Sequence, residues 1–144
     1  MAESKHEEVQ RITPMIAYEN GPAAIDWLVR AFGFREKQRM TNPDGSVSHA
    51  ELDFAGGRIF LSTPTKDYQS PKRHREACAA VRKWSKVPFV IDGLHVAVDD
   101  VDAHFARAKS AGATILSPPE DGPFGRLYRA EDPEGHRWMF MQSP

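Results

Sequence analysis

The sequence predicts an α+β fold built from two β-α-β-β-β modules, residues 11–63 and 92–144, joined by a connection over 64–91. Three observations carry this reading. Strand and helix signals follow one another in the same order in both stretches, a repeat that is weak in letters but clear in order. Both predicted helices stop at a glycine, in Ala31-Phe-Gly33 and in Ala111-Gly112. Each module ends in two strands folded back around a glycine-containing turn.

Taken in order, residues 1–10 are charged, carry no apolar stretch of the kind a signal peptide needs, and are expected to fray. Residues 11–18 read as a strand in which Pro14 marks an edge or a bulge. Residues 20–33 read as a helix: Asn20 can cap it, Pro22 suits its first turn, and Gly33 suits its end. Ala24, Trp27, Leu28 and Ala31 recur at helical spacing, flanked by Ile25 and Phe32, and give its buried face. A strand at 34–40 and the turn Asn42-Pro-Asp-Gly45 follow. Residues 46–54 and 58–62 then form a hairpin around Ala55-Gly-Gly57. Ala50, Leu52, Ile59 and Leu61 should face the helix, which turns His49, Glu51, Arg58 and Phe60 to the other side.

Within the connection, residues 70–84 read as a basic amphipathic helix with Ser70 as its cap, Pro71 at its first position and Cys78, Val81 and Trp84 as its apolar stripe. It is expected to be a solvated face or a lid with Trp84 turned inward. The second module repeats the order, with a strand at 94–98, a helix at 100–111, a strand at 113–116 and a stiff loop at 117–123. Its closing hairpin, 125–131 and 136–141, turns at Asp132-Pro-Glu-Gly135. With Pro133 and Glu134 as the corner, Tyr128 lies opposite Met139 and Leu127 opposite Phe140. Arg126, Tyr128, Ala130, Arg137, Met139 and Met141 then share a mixed face suited to a cavity. Leu127, Arg129, His136, Trp138 and Phe140 share the face under the helix, with Arg129 beside Trp138.

Composition narrows the function. The chain has 144 residues, a net charge of −1 and a 40% hydrophobic share, which suits a globular domain with its own core and not a nucleic-acid-coating chain. No apolar run reaches the roughly 18 residues of a membrane span. Cys78 is the only cysteine, so no internal disulfide forms and a reducing cytoplasm is the expected home. On the cavity side, Tyr18, Phe60, Tyr128 and Met139 would make an aromatic and thioether wall for a partly hydrophobic ligand, the other reading being ordinary core filling. Arg58 and Arg137 could hold an anionic group of that ligand or pair with Glu51. His49 and Glu51 point a base and a carboxylate to one face, with His95 approaching from the second module. They read as polar lining, as an acid–base pair, or as a metal site with His95.

The stretches Ile12-Thr-Pro-Met-Ile-Ala-Tyr18, Val96-Ala-Val-Asp-Asp-Val-Asp102, Ala111-Gly-Ala-Thr114 and Glu131-Asp-Pro-Glu-Gly-His-Arg-Trp138 resemble the vicinal-oxygen-chelate superfamily of glyoxalase I, extradiol dioxygenases and bleomycin-resistance proteins. Gly135-His-Arg-Trp138 after Asp132-Pro133 is most similar to the PhnB-like and bleomycin-resistance-like branches. The resemblance implies curved mixed sheets that enclose a cavity, with a homodimer helping to build it. In metal-using members, ligands come from the first and last strands of each module. Carried over, those positions fall at Pro14, Phe60, Gly93 and Met139, with His95 two residues beyond Gly93. None of the four offers a donor suited to a hard divalent ion. The expectation is therefore a small-molecule-binding protein with no metal, no cofactor and no nucleic-acid or membrane partner. A cofactor-free lyase or isomerase using His49, Glu51 or His95 is the alternative, and a metal-dependent glyoxalase or dioxygenase stands third. A charge of −1 gives little long-range pull on a cationic ligand, so a less charged one is expected.

Overall fold

A computed structural model describes residues 10–88 and 91–144. The frayed lead expected for residues 1–10 lies outside them, except for Gln10. The side-chain amide of Gln10 donates to the Arg58 carbonyl and accepts from its N–H, both at 2.8 Å. It stands in for a neighbouring strand where β4 (Gly57–Ser62) extends past the short β1 (Met15–Ala17).

The first module is β1, α1 (Gly21–Phe32), β2 (Arg35–Thr41), β3 (Val47–Phe54) and β4. Its sheet runs β1-β4-β3-β2, with β1 parallel to β4 and the other pairs antiparallel. The second repeats the plan with β5 (Gly93–Ala97), α4 (Val101–Ser110), β6 (Thr114–Gly122), β7 (Gly125–Glu131) and β8 (Arg137–Gln142), in the order β5-β8-β7-β6. The punctuation of α1 is as its residues dictate: Asn20 accepts from Ala23 N–H, Pro22 sits in the first turn, and Gly33 closes it at φ 81°. Asp100 caps α4 in the same way.

The helix-facing sides of both sheets and the two helices share one core. Phe32 of α1 packs on Trp138 and Phe140 of β8, with ring centroids 5.3 and 4.7 Å away. The Trp27 indole N–H donates to Ala111 O at 3.0 Å, and the Arg107 guanidinium donates to Arg30 O and Val29 O, tying α4 to α1. Both sheets therefore press one face inward and leave the other open.

Three elements depart from the sequence reading. The connection is not one helix but two, α2 (Pro71–Ala77) and α3 (Ala79–Trp84), because Cys78 takes an extended conformation between them. The stiff loop expected at 117–123 is mostly strand. Pro118 and Pro119 are accommodated because β6 is an edge strand and its pairing slips once before them and once across them. The third departure decides the site. Asp132 N–H bonds His136 O at 3.0 Å and Gly135 N–H bonds Asp132 O at 2.9 Å, so the β7–β8 loop holds three residues, not two. Gly135 at φ 86° takes the left-handed place that such loops need. Tyr128 consequently pairs with Phe140 and Arg129 with Met139. A shift of one residue exchanges the faces of one strand relative to the other.

Candidate functional site

On the open face of the first sheet, the hairpin β3–β4 places Glu51 opposite Phe60, as strand alternation requires. The His49 ring meets the Phe60 ring edge-on at 4.8 Å, and His49 Nε2 lies 3.7 Å from Glu51 Oε1. His49, Glu51 and Phe60 thus form one tight group, with the Glu51 side chain only 16% exposed. Arg58 also lies on this side but is committed elsewhere. It donates to both Asp53 oxygens, at 2.6 and 3.3 Å, and so holds the Asp53 carboxyl below the usual carboxylate range. Phe60, Arg58, Asp53, Thr13 and Gln10 border a broad recess of about 680 Å³.

On the open face of the second sheet, His95, Met139 and Arg129 stand in one cross-strand row. Arg129 reaches Ser117 Oγ at 3.5 Å and Glu120 at 3.9 Å. With Leu94, Arg137 and the connection residues Pro88 and Ile91, this row lines a recess of about 300 Å³. A gap of about 310 Å³ between the two sheets is bordered by Arg58 and Pro14 on one side and His95 on the other.

Two expected wall residues, Tyr18 and Tyr128, are elsewhere, and the expected clamp Arg137 keeps its face but is committed to backbone carbonyls. Tyr18 is fully buried beyond the end of β1 and donates its hydroxyl to Asp132 Oδ2 at 2.6 Å; burial and that carboxylate push its pKa well up. Tyr128 is fully buried on the helix side because of the β7–β8 register, and its hydroxyl bonds His104 Nδ1. Burial raises its pKa too. His104 Nε2 faces Phe32 O at 2.8 Å, so Nε2 carries the proton, Nδ1 accepts from Tyr128, and burial keeps the imidazole neutral. Arg137 is 6% exposed and donates to the carbonyls of Ser85 and Val87, not to a ligand position or to Glu51.

The converse error concerns Arg129. A two-residue loop puts it beside Trp138 under the helix, and it lies instead on the open face with Met139. The glycine in third place of the loop was the signal for this register, since a three-residue loop sets Asp132 against His136. His136 is a structural staple as expected, with Nε2 2.7 Å from Ala17 O. The basic run of the connection is spent partly on tethers, Arg73 to Glu19 and Arg75 to Glu131. Trp84 is half-exposed at the mouth of a pocket under the connection, not turned fully inward.

His49, Glu51 and His95 are split between the two sheets, and among the described residues no three of His, Cys, Asp and Glu converge as a metal-holding group. The strand pairing also revises one carried-over position. Gly93 faces Arg137, whereas His95 is the residue directly opposite Met139. Pro14 adjoins Phe60 through the bond from Phe60 N–H to Pro14 O. Those positions therefore supply a proline, a phenyl ring, one imidazole and a thioether. A divalent ion that needs three or four N, O or thiolate donors does not fit this set. No helix among the described residues is long and apolar enough to cross a membrane.

Comparison with known proteins agrees with this architecture. The family profile described as the Glyoxalase/Bleomycin resistance protein/Dioxygenase superfamily matches residues 10–140. An uncharacterized protein of Mycobacterium tuberculosis is 32% identical over 136 residues, covering 91% of this chain and 73% of that one. The crystal structure of TioX from Micromonospora sp. ML1 superposes with a TM-score of 0.70 at 34% identity, covering 94% of this chain and all of that one. TnmS3, an antibiotic binding protein from Streptomyces sp. CB03234, shares the fold at 20% identity, with a TM-score of 0.59 over 96% of this chain and all of that one. With two β-α-β-β-β modules, one shared core and a profile match across nearly its whole length, the chain belongs to the glyoxalase/bleomycin resistance protein/dioxygenase superfamily.

Proposed function

We propose that the chain binds a small, partly hydrophobic molecule on the open faces of its two sheets, without a metal ion, and that a second copy covers those faces to complete the cavity. The observation that carries this reading is the make-up of the faces: an aromatic–imidazole–carboxylate group at Phe60, His49 and Glu51, and a thioether–imidazole row at Met139 and His95. Each combines apolar area with a few polar groups that could orient a ligand. Met15 is 79% exposed at the edge of the first face and Met40 is 52% exposed. Met15 pairs with Phe60 and Met40 with His49, so both extend the apolar area of that face, and a contiguous apolar patch marks an interaction site. That a protein of the same fold is described as antibiotic-binding supports the class of function, not the identity of the ligand.

The placement of His49 Nε2 3.7 Å from Glu51 favours one second reading, a cofactor-free lyase or isomerase in which the carboxylate orients the imidazole as a base. Metal-dependent chemistry is not supported by the donor set described above.

The test uses 8-anilinonaphthalene-1-sulfonate, a planar fluorescent probe of apolar sites, titrated into the intact protein with and without EDTA. Saturable binding is expected, unchanged by EDTA. Phe60→Ala and Met139→Ala should each weaken it about tenfold, the effect of losing roughly 1.4 kcal/mol of contact. Stoichiometric bound metal with binding abolished by EDTA would overturn the proposal. Turnover of a ligand that His49→Gln abolishes while sparing affinity would establish the enzyme reading.

A further inference from the structure

The connection between the modules reaches the second open face, and one buried cation holds it there. Arg137 projects from β8 into the segment that follows α3 and donates to the carbonyls of Ser85 and Val87. Ser85 is the C-cap of α3, where carbonyls lack intrahelical partners. Two further ties fix the same connection upstream. Arg75 Nη1 donates to both Glu131 oxygens, at 3.2 and 2.9 Å, and Lys72 N–H donates to Glu134 O at 3.0 Å. Pro88 follows directly on the anchored Val87, and Pro88 and Ile91 border the recess whose floor is His95, Arg129 and Met139. Arg137 itself lines both this recess and the pocket under the connection that holds Trp84.

We propose that Arg137 is a positioning residue: by fixing Ser85 and Val87 it sets Pro88, which with Ile91 makes an apolar wall, and that wall selects which ligand the second-sheet recess admits. The inference rests on the binding function proposed above and adds the element that gives it selectivity. A recess of about 300 Å³ between a proline, a branched aliphatic side chain and a methionine thioether suits a flat apolar group. An apolar wall discriminates between ligands by roughly tenfold or more per methylene. A residue that only stabilised the fold would not change which ligand is preferred.

The experiment compares anilinonaphthalene sulfonate with its bulkier dimer, bis-anilinonaphthalene sulfonate, on the intact protein. Wild type should prefer the smaller probe. Ile91→Ala should weaken the smaller probe about tenfold and narrow or reverse the preference. Because Ile91 is only partly buried and lies outside the core, this variant should keep the wild-type melting temperature. Arg137→Met should lose the same preference and become more sensitive to trypsin after Lys83 and Lys86. Arg137→Lys, which can still reach one carbonyl, should restore part of both. The double variant Arg137→Met/Ile91→Ala should bind no more weakly than either single variant. An unchanged probe preference in folded Ile91→Ala would overturn the proposal, whether or not Arg137→Met folds. Should Phe60→Ala and Met139→Ala weaken the probe while Ile91→Ala does not, the wall fails and the binding function stands. Should wild type bind neither probe, both fail.

Discussion

Replacing Tyr18 by Phe separates the core role found for this side chain from the ligand wall that its sequence position suggests. The change removes one oxygen and keeps the ring. The hydroxyl donates to Asp132 Oδ2 at 2.6 Å, with Tyr18 fully buried and Asp132 3% exposed. The same carboxylate also accepts from Trp138 Nε1 and from the N–H groups of Glu134 and His136, each at 3.1 Å. Asp132 would keep three donors, so the loss is that of one hydrogen bond to a charged acceptor, about 1.5–3 kcal/mol. With a urea m-value of about 2 kcal/mol/M, a loss of about 2 kcal/mol lowers the denaturation midpoint by about 1 M at unchanged slope. Affinity for the fluorescent probe should not change, because the ring faces the junction of the modules and not an open sheet face. A midpoint within about 0.2 M of wild type, equivalent to under about 0.5 kcal/mol, together with weakened probe binding would refute the core assignment.

Two other perturbations test the same interior. Burial lowers the pKa of His104, so its contribution to stability is fully present above the unfolded value of about 6.5 and is lost as the pH falls through that value toward the folded pKa. Urea midpoints should fall between pH 7 and 5.5, and His104→Gln should flatten that part of the profile. Gly135→Ala should cost at least about 1–2 kcal/mol from the left-handed conformation alone. A Cβ there would also lie 2.8 Å from Lys72 N, so proteolysis within the connection should accelerate.

Local signals made much of this fold legible. The caps and helix stop around residues 20–33 and the alternation in the hairpin of 46–62 describe α1, β3 and β4, and they place His49, Glu51 and Phe60 on one side correctly. Face assignment failed where it depended on a single count. Two residues or three in the loop after Asp132 lead to opposite faces for Tyr128, and only the left-handed Gly135 distinguishes them. Pro118 and Pro119 looked like a loop because an edge strand cannot be told from a central one without knowing its neighbours. The partners of Arg137, which keeps its expected face beside Met139, and of Tyr18 are hidden for another reason. Those partners, Ser85, Val87 and Asp132, lie 50 or more residues away and are joined by single hydrogen bonds that leave no periodic trace in the sequence. Arg58 pairing with Asp53 instead of Glu51 is a choice between two carboxylates on one face, settled by Asp53 being directly opposite in register.

The central claim is that ligand binds on the open sheet faces and not among the helices. Backbone amide spectra of the 16.2 kDa chain during titration with anilinonaphthalene sulfonate test it most directly. The account expects shifts concentrated at His49, Glu51, Phe60, His95, Ile91 and Met139, with α1 and α4 little affected. Shifts confined to the helices, or to the groove beside Trp27 and Pro133, with the open faces silent, would contradict it.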